Sequence, residues 1–557
     1  MDKWTVARTL DEISRYIELS DPNKFKARAF ERAARAVEGL VDDDMNRVVD
    51  SGRLTGVSGI GKATSEVIVE LVRTGTSRYL EELRAQYPPG IFELLRVPGL
   101  GIKKIALLHE TMGIGSLDEL EAAGREGKLA KLKGFGKKTE EKILEGIAFA
   151  RKRESQHLLP VGIEVGELVR ERLADLDAVV DAEVSGSVRR RLEVIRNVNI
   201  VIATKQREDV LRALPSLAAN LEMLDDDTAK GLVRNEVEVL FHLTEPASFG
   251  TTLLRTTGSK EFVEALETKA EKLPKARTEA DVFEKVDIPW LEPERRETAD
   301  DLKRKKRTKL VHVDDLRGTF HVHTTFSDGR NTVQEMLSAA RDRGMQYVGL
   351  SDHSKAAYYA GGLTEAQLEE QHAEIARQEP AVAPMRVFRG TEADILPNGT
   401  MDYGKKTLAK FDFVIASIHS SFQMPKDEMT ARILSALDDP HVTILGHLTG
   451  RRLLSREGYG VDFDAIFERA AERGVMIEIN GNPQRLDVDW RWLPRAVDRG
   501  VMLCINPDAH SIGEYNALIT GTWVARKAGL SPKHIFNTRG VEEVEEWFAK
   551  RKEMAAG

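Results

Sequence analysis

The chain is poor in cysteine: Cys504 is the only one in 557 residues. An internal disulfide and a cysteine-rich zinc site are both excluded, so any metal must be held by His, Asp and Glu, and a reducing compartment fits. Long apolar runs are absent as well. The N-terminus, MDKWTVARTLDEIS, has no signal-type core, and no stretch approaches the roughly 18 apolar residues of a membrane span, which predicts a cytoplasmic protein with no membrane partner. Net positive charge is also missing: the balance is −8. That argues mildly against nucleic acid, but a global sum hides local patches. What is present, 41% hydrophobic with 6% aromatic and 31% charged, is a globular composition that excludes disordered, collagen-like and disulfide-stapled classes. At about 150 residues per domain the length predicts three or four domains.

Ten of the 13 histidines lie from His312 onward, which divides the chain into two chemistries. Residues 1–150 carry apolar residues at three and four spacing, as in SEVIVELVRTG and EEKILEGIAFA, and are predicted all-helical. Within them one unit recurs at intervals of roughly 40 residues: GVSGIGKATSEVI, RVPGLGIKKIALL and LKGFGKKTEEKIL. Gly, apolar, Gly, then Lys and a helix is the pattern of a helix-hairpin-helix module. The glycines permit a tight turn and close approach, and the helix N-terminus offers free N–H groups to a phosphate. Gly59, Gly61, Gly99, Gly101, Gly134 and Gly136 would form the turns, and Lys62, Lys103, Lys104, Lys137 and Lys138 would add charge. Such a site reads backbone rather than base sequence. A single copy could be an ordinary helix turn; three at regular spacing argue for DNA.

Residues 151–300 switch to an α+β pattern, with strands in VVDAEVSG, VNIVIAT and EVEVLFHL. The run KRKKR at 303–307 reads as a solvated linker, with a DNA contact as the alternative. From 317 onward seven apolar strands, near 319–323, 346–351, 385–392, 411–417, 441–446, 475–480 and 500–506, alternate with helical segments. That predicts a (β/α) barrel one unit short of eight, active at the C-terminal ends of its strands. There the sequence places His321, His323, Asp328, His353, Glu392, His419, His447, Asp508 and His510. Imidazoles and carboxylates suit Zn²⁺, Mn²⁺ or Fe²⁺, and this set could hold two or three ions with positions open for water or substrate. Asp352 and Asp394 could orient ligands or simply cap loops. His312, His372, His441 and His534 are expected to have ordinary structural roles. Arg485, and behind it Arg451, could hold a phosphate or form a structural ion pair.

The motifs HVHTTFSDG, SDHS, GTEADIL, SIHSSF, GHLTGR, EINGNPQRLD and DAHS resemble the polymerase and histidinol phosphatase (PHP) domain in the version attached to bacterial family X DNA polymerases. The resemblance runs from about 317 to 540. It implies a distorted seven-stranded barrel with a trinuclear metal site, phosphoester hydrolysis by a metal-activated water, and 3′-5′ exonuclease activity. Thr319 replaces the usual acidic residue ahead of the first motif, a position that is not a ligand.

Residues 186–203, GSVRRRLEVIRNVNIVIA, resemble the family X palm motif, of which Gly186, Ser187 and Arg190 persist. Where the family has Asp-x-Asp, this chain has Asn197 and Asn199, leaving Glu238 as the one carboxylate of three. Two Mg²⁺ ions and a triphosphate need anionic oxygens, and an amide presents donors as well as an acceptor, so nucleotidyl transfer is expected to be lost or very weak. Arg255 and Thr256 stand where the family has paired aromatics, and Val263 and Glu267 where it has Asn and Arg near the nascent pair. At the position of the Schiff-base lysine of animal members stands Val67; Lys62 could substitute only if desolvated.

The whole resemblance implies an N-terminal helical domain (1–85), a fingers-like region (86–150), a nucleotidyltransferase-like palm (151–245), a thumb-like region (246–300), a linker (301–316) and the PHP domain (317–557). It also implies a monovalent cation at the helix-hairpin-helix turns, nicked, gapped or frayed DNA with 3′ ends as partner, and residence on the bacterial nucleoid. The reading favoured is 3′ end processing in DNA repair. Its rivals are a Mn²⁺-dependent gap-filling polymerase, a small-molecule phosphatase of the histidinol-phosphate type, and a non-enzymatic DNA-binding scaffold.

Overall fold

The computed structural model describes residues 1–557 except 2, 21–23, 39, 41–43, 58, 154, 235–236, 271, 304–308 and 557. Beyond Lys303, the basic run therefore lies outside the described residues. The chain divides into two units, Met1–Glu154 and Ser155–Gly557. Among the described residues no helix is long and apolar enough to cross a membrane.

The first unit is helical throughout its described residues. Three of its helices, Lys62–Thr74, Ile102–Met112 and Lys137–Lys152, share one construction. A short 3₁₀ turn leads to a glycine in the left-handed region (Gly59 at φ +96°, Gly99 at +83°, Gly134 at +93°), which an L side chain would strain. A buried apolar residue follows, Ile60, Leu100 or Phe135. The second glycine, extended, is then the helix N-cap with no side-chain cap. The apolar residue anchors each hairpin in the common core, and the N-terminal N–H groups of each helix keep no side-chain acceptor.

The second unit opens with a five-stranded mixed sheet in the order Val179–Ser185, Asn197–Thr204, Val237–Thr244, Thr228–Val233 and Ala219–Met223. The strands Asn197–Thr204 and Val237–Thr244 are parallel, and the other pairings are antiparallel. Helices Leu159–Ala174 and Phe249–Thr257 pack on this sheet. Two further strands at 219–233, of which Ala219–Met223 is the edge, extend the three read from sequence.

From Gly318 a seven-stranded parallel sheet runs in sequence order: Gly318–Thr319, Tyr347–Leu350, Arg386–Asp394, Phe413–Ser417, Ile444–Leu445, Met476–Asn480 and Leu503–Asn506. A parallel bridge between Val322 and Ala509 brings the first and last segments together, nearly closing the barrel. The first strand is shorter than the predicted 319–323, because side chains replace the ladder: Asn506 Oδ1 accepts from the Thr319 hydroxyl and the Phe320 N–H, both at 3.1 Å. An aromatic cluster of Phe320, Tyr347, Phe388, Phe413, Phe536 and Phe548 fills the barrel toward its strand N-termini, and the C-terminal helix Val541–Ala556 supplies the last of these.

Barrel and palm are tied through buried charge. The Lys527 ammonium donates to the Arg190 carbonyl (3.0 Å) and the Glu294 carbonyl (3.3 Å), and pairs with the Glu297 carboxylate. Glu297 also receives Arg190 Nε at 2.8 Å. Arg191 stacks on Trp523 at 4.2 Å, and Arg491 pairs with Glu193 at 2.8 Å.

Candidate metal centre

The nine rim residues come from different turns of the barrel and converge. His321 and His323 follow the first strand, two apart, with ring centroids 5.1 Å from each other. His353, just beyond Tyr347–Leu350, bridges to Glu392 in the next strand. His419, His447 and the pair Asp508 and His510 each stand just past a strand end. Asp328, 37% exposed, and His510, 25%, face the mouth, and the other side chains are nearly fully buried.

The spacing is diagnostic. His321 Nε2 lies 3.4 Å from both Glu392 Oε2 and Asp508 Oδ1, and His323 Nε2 lies 3.6 and 3.4 Å from the same two oxygens. These separations are too long for good hydrogen bonds. They match the roughly 3.4 Å edge of a tetrahedron whose centre binds N and O ligands at about 2.1 Å. His321 Nε2, both nitrogens of His323 and His447 Nδ1 are buried with no hydrogen-bond partner, which is costly in a closed core. Three groups have ligand atoms close enough to share an ion: His321, His323 and Asp508; His323, Asp328, His353 and His510; and His353, Glu392 and His419. His447 lies outside these groups, but its Nε2 reaches Glu392 Oε1 at 2.9 Å. The donor set, imidazole nitrogens with carboxylates, fits two or three divalent ions.

Charges in the site hold one another. Burial alone would raise Glu392 and Asp508, yet the surrounding imidazoles hold both carboxyls well below the ordinary range. Asp328, near His510, His323 and His353, is lowered to about 2 against the same effect of burial. Burial, with His510 and His353 nearby, pushes His323 down to about 3, so it is neutral and ready to ligate.

Outer partners fix the imidazoles. His419 Nδ1 donates to Asp394 Oδ1 at 2.6 Å, leaving Nε2 toward Glu392. His321 Nδ1 donates to Glu478 Oε1 at 2.6 Å. Glu478, which the sequence reading missed, also accepts from the His447 N–H and from Asn480 and Asn506. Among the described residues the Asp352 carboxylate bonds no rim histidine; it accepts from Thr324, Ser327 and Gln371 and shapes the loop between His323 and Asp328. His447 and Asp508 have left-handed backbones, at φ +21° and +54°, and such strain concentrates at functional sites. Arg485 Nε sits 3.3 Å from Asp508 Oδ2 beside the site. Arg451 is consumed by the Arg485 and Leu486 carbonyls and Asp489, a structural role. The other C-terminal histidines are structural too: His312 caps a turn, His372 packs on Phe411, His441 pairs with Asp439 and His534 bonds Ser531.

In the palm, Asn197 and Glu238 are register partners on parallel strands. His242 Nε2 donates to Asn199 Oδ1 (2.8 Å), and Asn199 Nδ2 donates to Asn197 Oδ1 (3.0 Å). That chain of neutral groups occupies the positions to which the sequence resemblance assigns the family's paired carboxylates. Gly186, at φ +65°, lies under it, and a Cβ there would meet Asn199 Nδ2 at 2.7 Å. Ser187 offers its carbonyl to the Leu192 N–H. Arg190 is spent on Glu297 and the Thr257 carbonyl, so it holds the fold rather than a phosphate. Arg255 pairs with Glu267 at 2.8 Å, joining two of the positions that depart from the family pattern. In the first unit Lys62 is exposed, so the desolvation needed for a reactive amine is missing. Lys103, Lys137 and Lys138 stand in the first turns of their helices beside the uncapped N-termini, and Lys104 donates to the Gly99 carbonyl at 3.0 Å.

Fold and site together define a PHP-domain protein carrying a nucleotidyltransferase-like palm and a helix-hairpin-helix region. Family models agree: PHP domain over 319–482, SAM-like helix-hairpin-helix tandem over 91–148, and helix-hairpin-helix domain over 1–77. The chain is 34% identical to the DNA polymerase/3′-5′ exonuclease PolX of Bacillus subtilis, across 99% of this chain and all of that protein. It belongs to the PolX family. Over 29% of its length it is 31% identical to a protein named a probable phosphatase in Clostridium acetobutylicum, covering 62% of that protein. Over 42% it is 26% identical to another from Thermoanaerobacter, covering 96%.

Proposed function

We propose that the protein is a metal-dependent 3′-5′ DNA exonuclease that processes 3′ ends in repair, with the polymerase half serving as a DNA clamp that has lost nucleotidyl transfer. The carrying observation is the set of buried imidazole nitrogens without partners, spaced with Glu392 and Asp508 as the corners of an ion site. Bound divalent ions would supply an activated water and neutralise phosphate oxygens. His321, His323, Asp328, His353, Glu392, His419, His447, Asp508 and His510 would hold two or three of them. Glu478 and Asp394 keep His321 and His419 in one tautomer. Arg485, anchored by one nitrogen on Asp508, orients a phosphate with its remaining donors. The helix-hairpin-helix turns would hold the DNA backbone, and the neutral His242, Asn199 and Asn197 chain supports the loss of polymerase chemistry.

The test is a gel with a 5′-labelled primer on a gapped template and Mn²⁺, with and without dNTPs, beside a His353→Ala, Glu392→Ala protein. A downward ladder that ignores dNTPs and vanishes in the double variant is expected. Upward bands that need dNTPs would overturn the polymerase part. A phosphatase reading draws on the relatives that match the barrel half; it predicts phosphomonoester turnover indifferent to DNA.

A further inference from the structure

Beside the metal centre the chain exposes two aromatic rings. Tyr358, 85% exposed, and Tyr359, 62%, form a short 3₁₀ turn with ring centroids 6.0 Å apart. Large apolar rings left in water are unusual at a polar rim. Their loop is pinned at both ends: the Leu363 N–H donates to the His353 carbonyl at 2.8 Å, Ser354 bridges Leu363, and Gly361 abuts Ser327, next to Asp328. The tyrosine turn thus lies on the segment between the ligand His353 and Leu363, with its far end against the loop that carries Asp328, which sets the pair beside the ligand cluster. The rim also carries cations. Arg485 sits 3.3 Å from Asp508, and Arg452 donates at 2.7 Å to Gln484, the residue before Arg485. Arg456 is held against the Gly450 carbonyl and the Phe422 ring.

Cations for phosphates beside rings for bases are the two parts of a single-strand nucleic-acid site. A phosphate-only substrate would have no use for the rings. We propose that Tyr358 and Tyr359 form a nucleobase subsite, stacking the 3′-terminal base of a DNA strand whose phosphates lie along Arg485, Arg452 and Arg456. This rests on the exonuclease reading above. The subsite makes the centre select a strand end that carries a base.

The test uses the full-length protein and an oligodeoxynucleotide ending in 2-aminopurine, whose fluorescence falls on stacking, in EDTA so that cleavage does not enter. Quenching is expected with the wild type and with Tyr358→Phe, Tyr359→Phe, and about tenfold weaker binding with Tyr358→Ala, Tyr359→Ala. With Mn²⁺, the Ala variant should raise KM about tenfold for an ordinary 3′ end and leave an abasic tetrahydrofuran end unchanged. Equal quenching by the Ala variant, or equal loss on both ends, would overturn the subsite. Wild-type quenching that is lost in the Ala variant, with no Mn²⁺-dependent ladder, would support the subsite and overturn the exonuclease reading.

Discussion

An imidazolium cannot ligate a cation, and the carboxylates around two rim histidines favour their protonated form. Burial opposes the charge on His419, but Glu392 and Asp394 raise it to about 10; burial likewise opposes His510, yet Asp328 and Asp508 raise it to about 9. Near neutral pH both carry protons that metal must displace. Metal loading should therefore release protons, and affinity should weaken as pH falls below about 10 and more steeply below about 9. Calorimetry in buffers of different ionisation enthalpy measures this; pH-independent affinity would refute it. Glu478→Gln removes the charge that fixes His321 Nδ1. Metal affinity should drop by about 10- to 100-fold, read by competition with a chromogenic chelator, with the barrel still folded by circular dichroism. The rim residues were legible because each sits in a short polar tag that interrupts an apolar run. Glu478 was not: in MIEIN every residue is buried, and alternation cannot mark which one faces the centre.

The three hairpins are the elements best written in the sequence, since a left-handed turn followed by an uncapped helix start demands glycine twice. Their proposed work is electrostatic. Lys103→Glu, Lys104→Glu, Lys137→Glu, Lys138→Glu should weaken binding to any DNA sequence and flatten the salt dependence by roughly 0.9 for each phosphate no longer neutralised. Fluorescence anisotropy across a salt series tests this, and an unchanged slope would remove these helices from the interface. Other elements were less legible. The strands Ala219–Met223 and Thr228–Val233 form the edge of their sheet, the first of them largely exposed, so ANLEMLDDDTAKGLV carries little apolar signal. The Asn506 hydrogen bonds that cut short the first barrel strand come from 187 residues away, beyond any local pattern.

At the scale of the molecule, residues 155–557 join the five-stranded sheet and the barrel in one unit while 1–154 form another. Limited proteolysis should yield a persistent fragment beginning near residue 155, and a cut that instead separates barrel from palm would contradict this division. The Lys527 tie should be expensive to break. Lys527→Ala takes from Glu297 its closest cation but leaves it Arg190, so about 2 kcal/mol of stability should be lost, measured by denaturant titration of the full chain with tryptophan fluorescence.

That tie constrains descent as well as stability. Arg190, inherited with a phosphate motif, now serves as a rivet between the two halves of the unit. With Asn197 and Asn199 at the palm positions, the barrel still depends on the residues around them, because the buried Lys527 takes a backbone carbonyl from Arg190 and its counter-charge from Glu297. Selection on the barrel alone would then also keep the neighbouring scaffold folded, much as an upper storey preserves the walls that carry it.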